Sequence, residues 1–492
     1  MSQIPSCGDT MLTPRPPLAP LDEFPAANVE SHMRFVNSEW SDELEATLKR
    51  RQLRPLIQLS AANVAPTAKS AYEAIQEWQQ SLHLFGAAEF NDDQEEIAFE
   101  PLRKATAKLL NCKEGEVCGG TSCSELLGSV AWGLVARLML TKEDPNRKNV
   151  IGTQSCFPST FYAWTRVCEF ADAEIRLISF DENKVTSEED IISAMDSNTR
   201  VVALSHVEFT SGQVYNLGRI AQKLHEITND RGSLIVDGSQ SVGMLPIDIE
   251  KETDPSGTYG GHYARCIAVT GYKWLCGSFG SGLMWCSQKK LLESYNGCSV
   301  SSSSPENQIR NKEGNLKRIF SPGLVGFRSH YDMWACNPTK MEYPLGAKRF
   351  EFATMHFGAA LGLAKCVELL NLVGTYKIFK HNLYLANYLI RKLEVAGLSP
   401  TRCEVIWPTL EARAKEQDRE KEGGANGEGV LRSSIVSLRL KGGKESGEVE
   451  HILKEEHRIV VTKRGIFLRV SPHYYNGTAD LDKLVEALGK VL

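Results

Sequence analysis

The stretch that decides the fold is SLIVDGSQSVGMLPIDI, residues 233–249. It opens with a short apolar run, which predicts a buried β-strand that ends at Asp237 and continues into a DGSQ turn. A second apolar run, in RCIAVTGYKWLCGSFGSGLMW (residues 265–285), leads to Lys273. Open α/β sheets bind their ligands at the carboxyl ends of parallel strands. The sequence therefore predicts a ligand site that contains Asp237 and Lys273.

Similar apolar runs recur along the chain and alternate with helical patterns. The predicted strands are 149–152, 175–178, 201–204, 234–236, 267–269 and 283–285, and the predicted helices include 188–195 and 217–228, with others beginning near Ser70 and at 99–110. Uniformly apolar strands that alternate with helices indicate an α/β fold with a mostly parallel sheet covered on both faces.

The pattern changes after residue 357. Two long amphipathic helices (359–372 and 376–396), two strands (434–440 and 466–470) and a helix from Ala479 predict a smaller α+β domain. The predicted division is residues 1–55 as a partly extended, proline-rich arm, 56–335 as the large α/β domain and 336–492 as the C-terminal domain. Two polar stretches, 299–308 and the charged, glycine-rich 411–429, are typical of solvated insertions.

Composition excludes several classes of protein. The formal net charge of the 492 residues is −5, which supplies no general attraction to nucleic acid or to an anionic membrane, and the one basic run, 49–54, is typical of a solvated helix face. No apolar run approaches the roughly 18 residues that span a bilayer. The 13 cysteines are odd in number and form no CxxC pair, so we expect reduced thiols in the cytoplasm and no metal site.

A strand-end carboxylate together with a lysine among aromatic residues and glycines fits the chemistry of pyridoxal phosphate (PLP). The lysine binds this cofactor covalently, and an acid beside the pyridine nitrogen keeps it protonated so that the ring withdraws electrons. Taken singly, Asp237 also fits the role of a turn-forming residue, and Lys273 also fits that of a solvated surface charge. Their occurrence at the ends of two predicted strands of one sheet favours the cofactor.

Five further motifs occur in chain order with these two. They are GGTSCSELLGSVAWGL (119–134), TQSCFPSTFYAW (153–164), SHVEFTSG (205–212), RFEFATMHFGAALGL (349–363) and IFLRVSPHYYNGTADLDKLVEAL (466–488). In this order they resemble the class V aminotransferase group of fold type I PLP-dependent enzymes, which includes cysteine desulfurases, selenocysteine lyases and isopenicillin N epimerase. The resemblance runs from about residue 56 to the C-terminus, and it implies a fold type I architecture with PLP as cofactor.

The resemblance also implies which residues bind the cofactor. Lys273 would be the Schiff-base lysine, Asp237 the partner of the pyridinium nitrogen and Phe157 the side chain stacked on the ring. The other implied positions are Gln240 at the ring hydroxyl, Ser122, Cys123 and Ser124 in the phosphate turn, with Ser124 the favoured hydroxyl, and Thr270, Tyr272 and Thr354 at the phosphate. Two alternatives remain open, because the serines also suit a helix N-cap and a phenylalanine beside a proline also suits a packed core.

For substrate and assembly, the resemblance implies three residues. Arg469 would bind the substrate carboxylate, since a guanidinium fork matches its geometry, although a strand arginine in a surface ion pair is the alternative. His206 would approach the cofactor or substrate, and a structural histidine fits the same position. Thr354 lies where the related motif RFEAGTPN reaches the neighbouring subunit, which implies a homodimer with shared sites; Met355 and His356 depart from that motif.

The absence of one cysteine narrows the set of reactions that we expect. Desulfurases of this group carry a nucleophilic cysteine shortly before the carboxylate-binding arginine, but HRIVVTKRGIFLR (457–469) has none. Cys156 alone has a position that suggests access to the cofactor, and a packed cysteine fits there too. We therefore expect a PLP-dependent lyase or transferase that acts on an α-amino acid, by β-elimination or C–S cleavage of a cysteine-derived substrate. Epimerisation or carbon–carbon chemistry in specialised metabolism is the alternative, and a catalytically retired binding or scaffold protein is the alternative of another class.

Overall fold

The computed structural model describes residues 56–86, 88, 92–140, 145–251, 264–287, 346–352, 355–406 and 433–492. The predicted N-terminal arm, both polar insertions and Thr354 lie outside the described residues.

A seven-stranded sheet forms the centre of the larger unit. Its strands in chain order are β2 (Val117–Gly120), β3 (Asn149–Thr153), β4 (Glu174–Ile178), β5 (Thr199–Ser205), β6 (Ser233–Asp237), β7 (Cys266–Thr270) and β8 (Gly282–Cys286). The spatial order is β2-β8-β7-β6-β5-β3-β4, in which β8 is antiparallel to both of its neighbours and all other pairs are parallel. The predicted mostly parallel α/β sheet is confirmed, with all six predicted strands in it.

Eleven helices are described. They are α1 (Lys69–Phe85), α2 (Asp92–Leu110), α3 (Cys123–Gly133), α4 (Val135–Leu138), α5 (Pro158–Ala171), α6 (Glu188–Ser193), α7 (Leu217–Thr228), α8 (Phe357–Val373), α9 (Thr375–Val395), α10 (Ser446–Glu455) and α11 (Thr478–Val491). Local sequence fixes several of their ends. For example, the Asn216 side chain accepts the backbone N–H of Arg219 at 2.9 Å at the start of α7, and α5 begins with Pro158, whose missing N–H costs nothing in a first turn.

Alternate residues of the central strands pack into separate layers on the two faces of the sheet. In β5, Val202 and Leu204 join a core that includes α1, α2 and α8, whereas Val201 and Ala203 join one that includes α3 and α5. A strand that is buried on both faces must be apolar at every position. This requirement explains why these strands appear in the sequence as continuous apolar runs.

A second, smaller unit is built around a four-stranded antiparallel sheet. Its strands are β9 (Cys403–Ile406), β10 (Val436–Leu440), β12 (Thr462–Arg464) and β13 (Phe467–Val470), in the order β12-β13-β10-β9. A two-stranded parallel pair joins β1 (Ile57–Gln58) to β11 (Ile459–Val460). The core of this unit includes residues of α9, α10 and α11.

Helix α8 packs mainly against the larger unit, on α1 and α2. The ring of Phe357 lies 5.7 Å from that of Phe99, centroid to centroid. A buried ion pair nearby, Arg103 to Glu351 at 2.8 Å, ties residues 346–352 to α2. The predicted domain boundary near residue 336 stays a prediction. This packing places residues 346–352 and helix α8 with the larger unit.

Among the described residues, no single helix is long and apolar enough to cross a membrane, and one pair, α8 with α9, meets those criteria only when the two are joined across an 81° bend.

Candidate active site

The carboxyl ends of the parallel strands meet at one edge of the large sheet. Strand β6 ends at Asp237, β5 is followed by His206, β3 leads to the loop that carries Phe157, and β7 leads to Lys273. Strand β2, which runs parallel to β7 through the intervening β8, delivers the start of α3 to the same edge. The topology therefore collects at one place residues that are scattered along the sequence.

Lys273 is 9 % exposed, and its Nζ lies 5.3 Å from the centroid of the Phe157 ring. Burial lowers the pKa of this lysine, an effect that the charge of Asp237 opposes and that the charges of Arg469 and Arg464 reinforce. A lysine with a lowered pKa has a larger neutral fraction, which can act as a nucleophile or base. Phe157 itself is 39 % exposed, so part of this side chain is accessible.

Asp237 is held by two hydrogen bonds. The Thr160 hydroxyl donates to Oδ2 at 2.8 Å, and the backbone N–H of Ser239 donates to Oδ1 at 2.9 Å. The Ser239 hydroxyl in turn accepts the N–H of Thr270 at 3.1 Å, which links β6 to β7. Because the carboxylate is oriented from two sides, it can present a fixed charge to a cationic ring nitrogen. Neither Thr160 nor Ser239 was predicted, although Ser239 lies inside the DGSQ turn.

The predicted phosphate turn is a capped helix start. Ser122 is the N-cap of α3 and accepts the N–H of Glu125 at 3.1 Å, Cys123 is buried, and Ser124 is exposed. Gly282 allows the close approach of this turn, since a Cβ there would lie 3.1 Å from the carbonyl carbon of Ser122. The N-cap role considered for the serines is thus present for Ser122. An exposed helix N-terminus of this kind suits an anion.

Three other predicted cofactor residues have different surroundings. Both ends of the Gln240 amide are used, because it donates to the carbonyl of Ala62 at 2.8 Å and accepts from Trp274 Nε1 at 2.7 Å. The Thr270 hydroxyl is buried and has no hydrogen-bond partner among the described residues. The ring of Tyr272 contacts that of Phe279 at 4.6 Å between centroids. Gln240 could reach a ring hydroxyl only by exchanging a partner.

His206 is fully enclosed beside Asp237, whose carbonyl accepts its backbone N–H at 2.9 Å. Neither ring nitrogen has a partner among the described residues. Burial lowers the pKa of His206 to about 4, so the imidazole is neutral near neutral pH. An unsatisfied buried imidazole is unusual for a purely structural histidine.

Arg469 lies on β13 and is entirely buried. One guanidinium nitrogen, Nη1, donates to the carbonyl of Phe209, and Nε and Nη2 have no partner among the described residues. Burial, followed by the charge of Arg464, holds the pKa of Arg469 well below its ordinary value. The surface ion pair considered as an alternative is absent from the described part of the chain, where no carboxylate lies within 4 Å of this guanidinium.

Glu208 is a buried carboxyl that the sequence analysis missed. Its Oε1 accepts hydrogen bonds from Thr153, Ser155 and Tyr215, and Oε2 has no partner in the described structure. Burial raises the pKa of Glu208 to about 7. These contacts tie the end of β3 and its following loop to the segment 208–215. The signal available in the sequence was an acidic residue three positions after the end of the apolar strand β5.

The thiols near this edge are poorly suited to be nucleophiles. Burial raises the pKa of Cys156 to about 12 and that of Cys123 well above its ordinary value. A thiol rather than a thiolate is therefore present at both positions, and only the thiolate is nucleophilic. The described cysteines are all free, and no group of three or more histidine, cysteine, aspartate or glutamate residues suited to a metal was found in the described ranges.

These residues fit PLP on the grounds of the structure itself. A buried lysine, an oriented carboxylate, a partly exposed aromatic ring and a helix N-terminus lie at one sheet edge. The Thr270 hydroxyl and the Nε and Nη2 atoms of Arg469 have no hydrogen-bond partner among the described residues. Thr354 lies outside the described residues, so its predicted contact stays a prediction.

Comparison with known proteins agrees with this fit. The family model for aminotransferase class-V matches residues 63–305. Over these residues, just under half of its length, the chain resembles the aminotransferase class-V family. It is accordingly a PLP-dependent enzyme with the fold type I architecture.

Several relatives and solved structures of similar fold span most of the chain, and one relative matches about half of it. A probable cysteine desulfurase of Methanothermobacter thermautotrophicus is 22 % identical over 454 residues, which cover 89 % of this chain and 95 % of that protein. A kynureninase of Pseudomonas fluorescens is 27 % identical, over 46 % of this chain and 50 % of its own.

Among structures, the cystine C-S lyase C-DES in complex with cysteine persulfide has a TM-score of 0.65 at 18 % identity, covering 89 % of this chain and 98 % of its own. The apo cysteine desulfurase of Thermococcus onnurineus has a TM-score of 0.64 at 16 % identity, covering 95 % of this chain and 98 % of its own.

Proposed function

We propose that this class V enzyme cleaves the C–S bond of a cysteine-derived α-amino acid by β-elimination. The observation that carries the proposal is the combination, at one sheet edge, of the buried Lys273 with the unpaired guanidinium of Arg469. The first group suits proton transfer at Cα, and the second suits a carboxylate. The relatives named as cysteine desulfurases and the cystine C-S lyase of similar fold support the choice of sulfur chemistry.

Each residue has a defined task in this reaction. PLP, when bound, supplies an electron sink for the charge that develops at Cα. Arg469 would hold the substrate carboxylate and orient the Cα–H bond toward Lys273, whose neutral amine is favoured by burial and would accept the α-proton. The Cβ–S bond then breaks, and the sulfur leaves with its electron pair and takes a proton. With one water, the S-substituted cysteine yields a thiol, pyruvate and ammonia.

The cofactor positions are part of the same proposal. Asp237 would pair with the ring nitrogen, Phe157 would stack on the ring, and Ser122, Cys123, Ser124, Thr270, Tyr272 and Thr354 would surround the phosphate. His206 would face the cofactor or substrate as a neutral imidazole. Gln240 would donate to the ring hydroxyl after releasing one of its present partners.

The thiols favour a lyase over a desulfurase that stores a persulfide on the protein. The segment 457–469 contains no cysteine, and burial keeps Cys123 and Cys156 protonated. The sulfur would therefore leave with its own substituent.

Product analysis on a panel of amino acids tests the reaction class. The purified enzyme, supplied with PLP, is incubated with L-cystine, S-methyl-L-cysteine and L-cysteine, with L-kynurenine and L-alanine as controls. We expect equal amounts of pyruvate and ammonia together with a sulfur product from the cysteine derivatives. Alanine together with sulfur would favour a desulfurase. D-isomers formed without release of sulfur would favour an epimerase. Alanine formed from kynurenine would favour carbon–carbon bond cleavage. No product and no cofactor absorbance would favour the retired scaffold.

We further propose a cytoplasmic homodimer with shared sites. The free state of the described cysteines supports a reducing compartment, and the resemblance around Thr354 supports the shared site. Lys273→Ala and Thr354→Ala chains are each expected to be impaired as homodimers, and co-expression should restore activity because each mixed dimer regains one intact site. Activity is measured on the mixed species isolated with two affinity tags. A fully active monomer would exclude the shared site.

A further inference from the structure

Residues 206–215, which follow β5, form a compact hairpin closed by its own backbone. The N–H of Glu208 donates to the carbonyl of Gln213 at 2.8 Å, and the N–H of Gly212 donates to the carbonyl of Glu208 at 3.0 Å. We call these residues the 206–215 hairpin. Because its two arms are hydrogen-bonded to each other, a shift at its base is passed on to its tip.

The tip of the 206–215 hairpin is bound by the smaller unit. Arg469 Nη1 donates to the carbonyl of Phe209, and the Ser437 hydroxyl donates to the carbonyl of Thr210. The ring of Phe209 also packs edge-on to the ring of Phe157, at 5.3 Å between centroids. Phe209 therefore contacts both the guanidinium proposed for the substrate carboxylate and the ring proposed to stack on the cofactor.

Glu208 fixes the base of the hairpin. Its side chain is entirely buried, and its Oε1 accepts hydrogen bonds from three hydroxyls, those of Thr153 at 3.2 Å, Ser155 at 2.9 Å and Tyr215 at 3.1 Å. Thr153 ends β3, and Ser155 lies two residues before Phe157. One carboxyl thus holds the loop of the stacking ring against the hairpin that carries the contact to Arg469.

The charge of Glu208 decides how firmly it holds these hydroxyls, since hydrogen bonds to a carboxylate are roughly twice as strong as those to a neutral acceptor. Burial raises the pKa of Glu208 to about 7, an effect that the three hydroxyl bonds oppose and that the charge of Asp237 on β6 reinforces. Tyr215 and Cys156 also lie close, but burial raises the pKa of both, so they stay neutral near neutral pH. The hold on the hairpin therefore strengthens as Glu208 ionises.

We propose that Glu208 is a positioning residue, which acts through the 206–215 hairpin to place Arg469 and Phe157 for substrate and cofactor. Its charged form holds the base of the hairpin, and Phe209 passes that position to both side chains. The inference rests on the proposed function, because that function assigns the substrate carboxylate to Arg469. Glu208 itself would touch neither the substrate nor the cofactor.

A carboxylate without an amino group tests this role. 3-(Methylthio)propionate keeps the carboxylate and thioether of the proposed substrate class, is ionised at neutral pH and cannot react with PLP. Its affinity for the PLP-loaded enzyme is measured by calorimetry. Between about pH 6 and about pH 8, a group with a pKa near 7 changes from roughly one-tenth to roughly nine-tenths ionised. We therefore expect the affinity to rise by up to roughly tenfold over this range.

Glu208→Gln keeps the length of the side chain and an acceptor oxygen but has no charge at any pH. Its affinity for the ligand should not change with pH and should stay near the wild-type value at the acidic end. Glu125→Gln is the matched control, because burial also raises the pKa of Glu125 to about 7, while this carboxyl bonds to Thr121 and Ser129. The control should keep the wild-type pH dependence. A pH dependence that persists in Glu208→Gln, or that disappears in Glu125→Gln, overturns the proposal.

Ser155→Ala tests the role while keeping Glu208 in place. The Ser155 hydroxyl lowers the pKa of Glu208, because it donates to the charged form. Its removal should therefore move the midpoint of the pH dependence to a higher pH. An unchanged midpoint would mean that another group titrates, and the proposal would fail.

The same measurements separate this inference from the proposed function. Equal affinity of the wild-type enzyme for the ligand at every pH rejects the role of Glu208 and leaves the assignment of Arg469 in place. No binding at any pH, or binding that Arg469→Lys leaves unchanged, rejects the assignment of Arg469, and the role of Glu208 falls with it.

Discussion

Lys273→Ala should abolish turnover while leaving the fold and the carboxylate subsite in place. A positioned general base contributes typically about 10²–10⁴-fold to rate, and this lysine would in addition carry the cofactor. We therefore expect product release to fall by at least roughly that factor, measured as pyruvate formed per enzyme in a single turnover. No ion pair of Lys273 within 4 Å is present in the described structure, so the substitution removes no salt bridge there.

Chemical labelling identifies the lysine independently of turnover. Reduction of the PLP-loaded wild-type protein with borohydride should add a pyridoxyl mass to the peptide that contains Lys273, and the variant should show none there. Lys223→Ala, at an exposed position that pairs with Glu226, is the matched control and should keep both label and activity. A label on another lysine, or no label at any, would remove Lys273 from the site.

Most of the large sheet could be predicted because its central strands are apolar runs. Strand β6 has buried layers on both faces, so its whole length appears as one apolar run that ends at Asp237. The pairing of β1 with β11 could not be predicted, since it joins two-residue strands some 400 positions apart and neither shows a periodic pattern. The antiparallel position of β2 next to β8 was also missed, because a four-residue strand that ends in two glycines carries little strand signal.

The contacts of the candidate site likewise fall into those that local sequence could predict and those that it could not. Asp237 and Lys273 could be proposed as site residues because each stands in a motif next to a strand end, and Phe157 could be proposed from the family resemblance. The bond from Thr160 to Asp237 joins residues on α5 and β6, and the contact of Arg469 with Phe209 joins the two units of the fold. Neither follows from spacing along the chain. Gln240 shows a further limit of the sequence. Its motif implied a role at the ring hydroxyl, but it could not show that both ends of the amide already have hydrogen-bond partners.

Arg469→Lys should weaken substrate use strongly while leaving PLP binding unchanged. Lysine keeps a positive charge but loses the planar fork, and with it one hydrogen bond to the carboxylate and control of its orientation. A hydrogen bond to a charged group is worth about 1.5–3 kcal/mol, so kcat/KM for the amino acid should fall by roughly 10- to 150-fold. The site here is entirely buried, where an ammonium loses its proton more readily than a guanidinium, which places the expected loss toward the upper end of that range.

The comparison needs kcat/KM for the true substrate and the cofactor absorbance of each protein. Arg439→Lys, on the neighbouring strand β10, is the matched control, because that arginine pairs with Glu404 and binds Asn183 away from Lys273. It should keep normal kinetics. Cofactor absorbance should be the same in all three proteins, since the groups proposed to hold PLP are Lys273, Asp237 and the turn at the start of α3. Normal catalytic efficiency in Arg469→Lys would mean that the buried, unpaired guanidinium does not bind the carboxylate, and the proposal of an α-amino acid substrate would lose its main structural support.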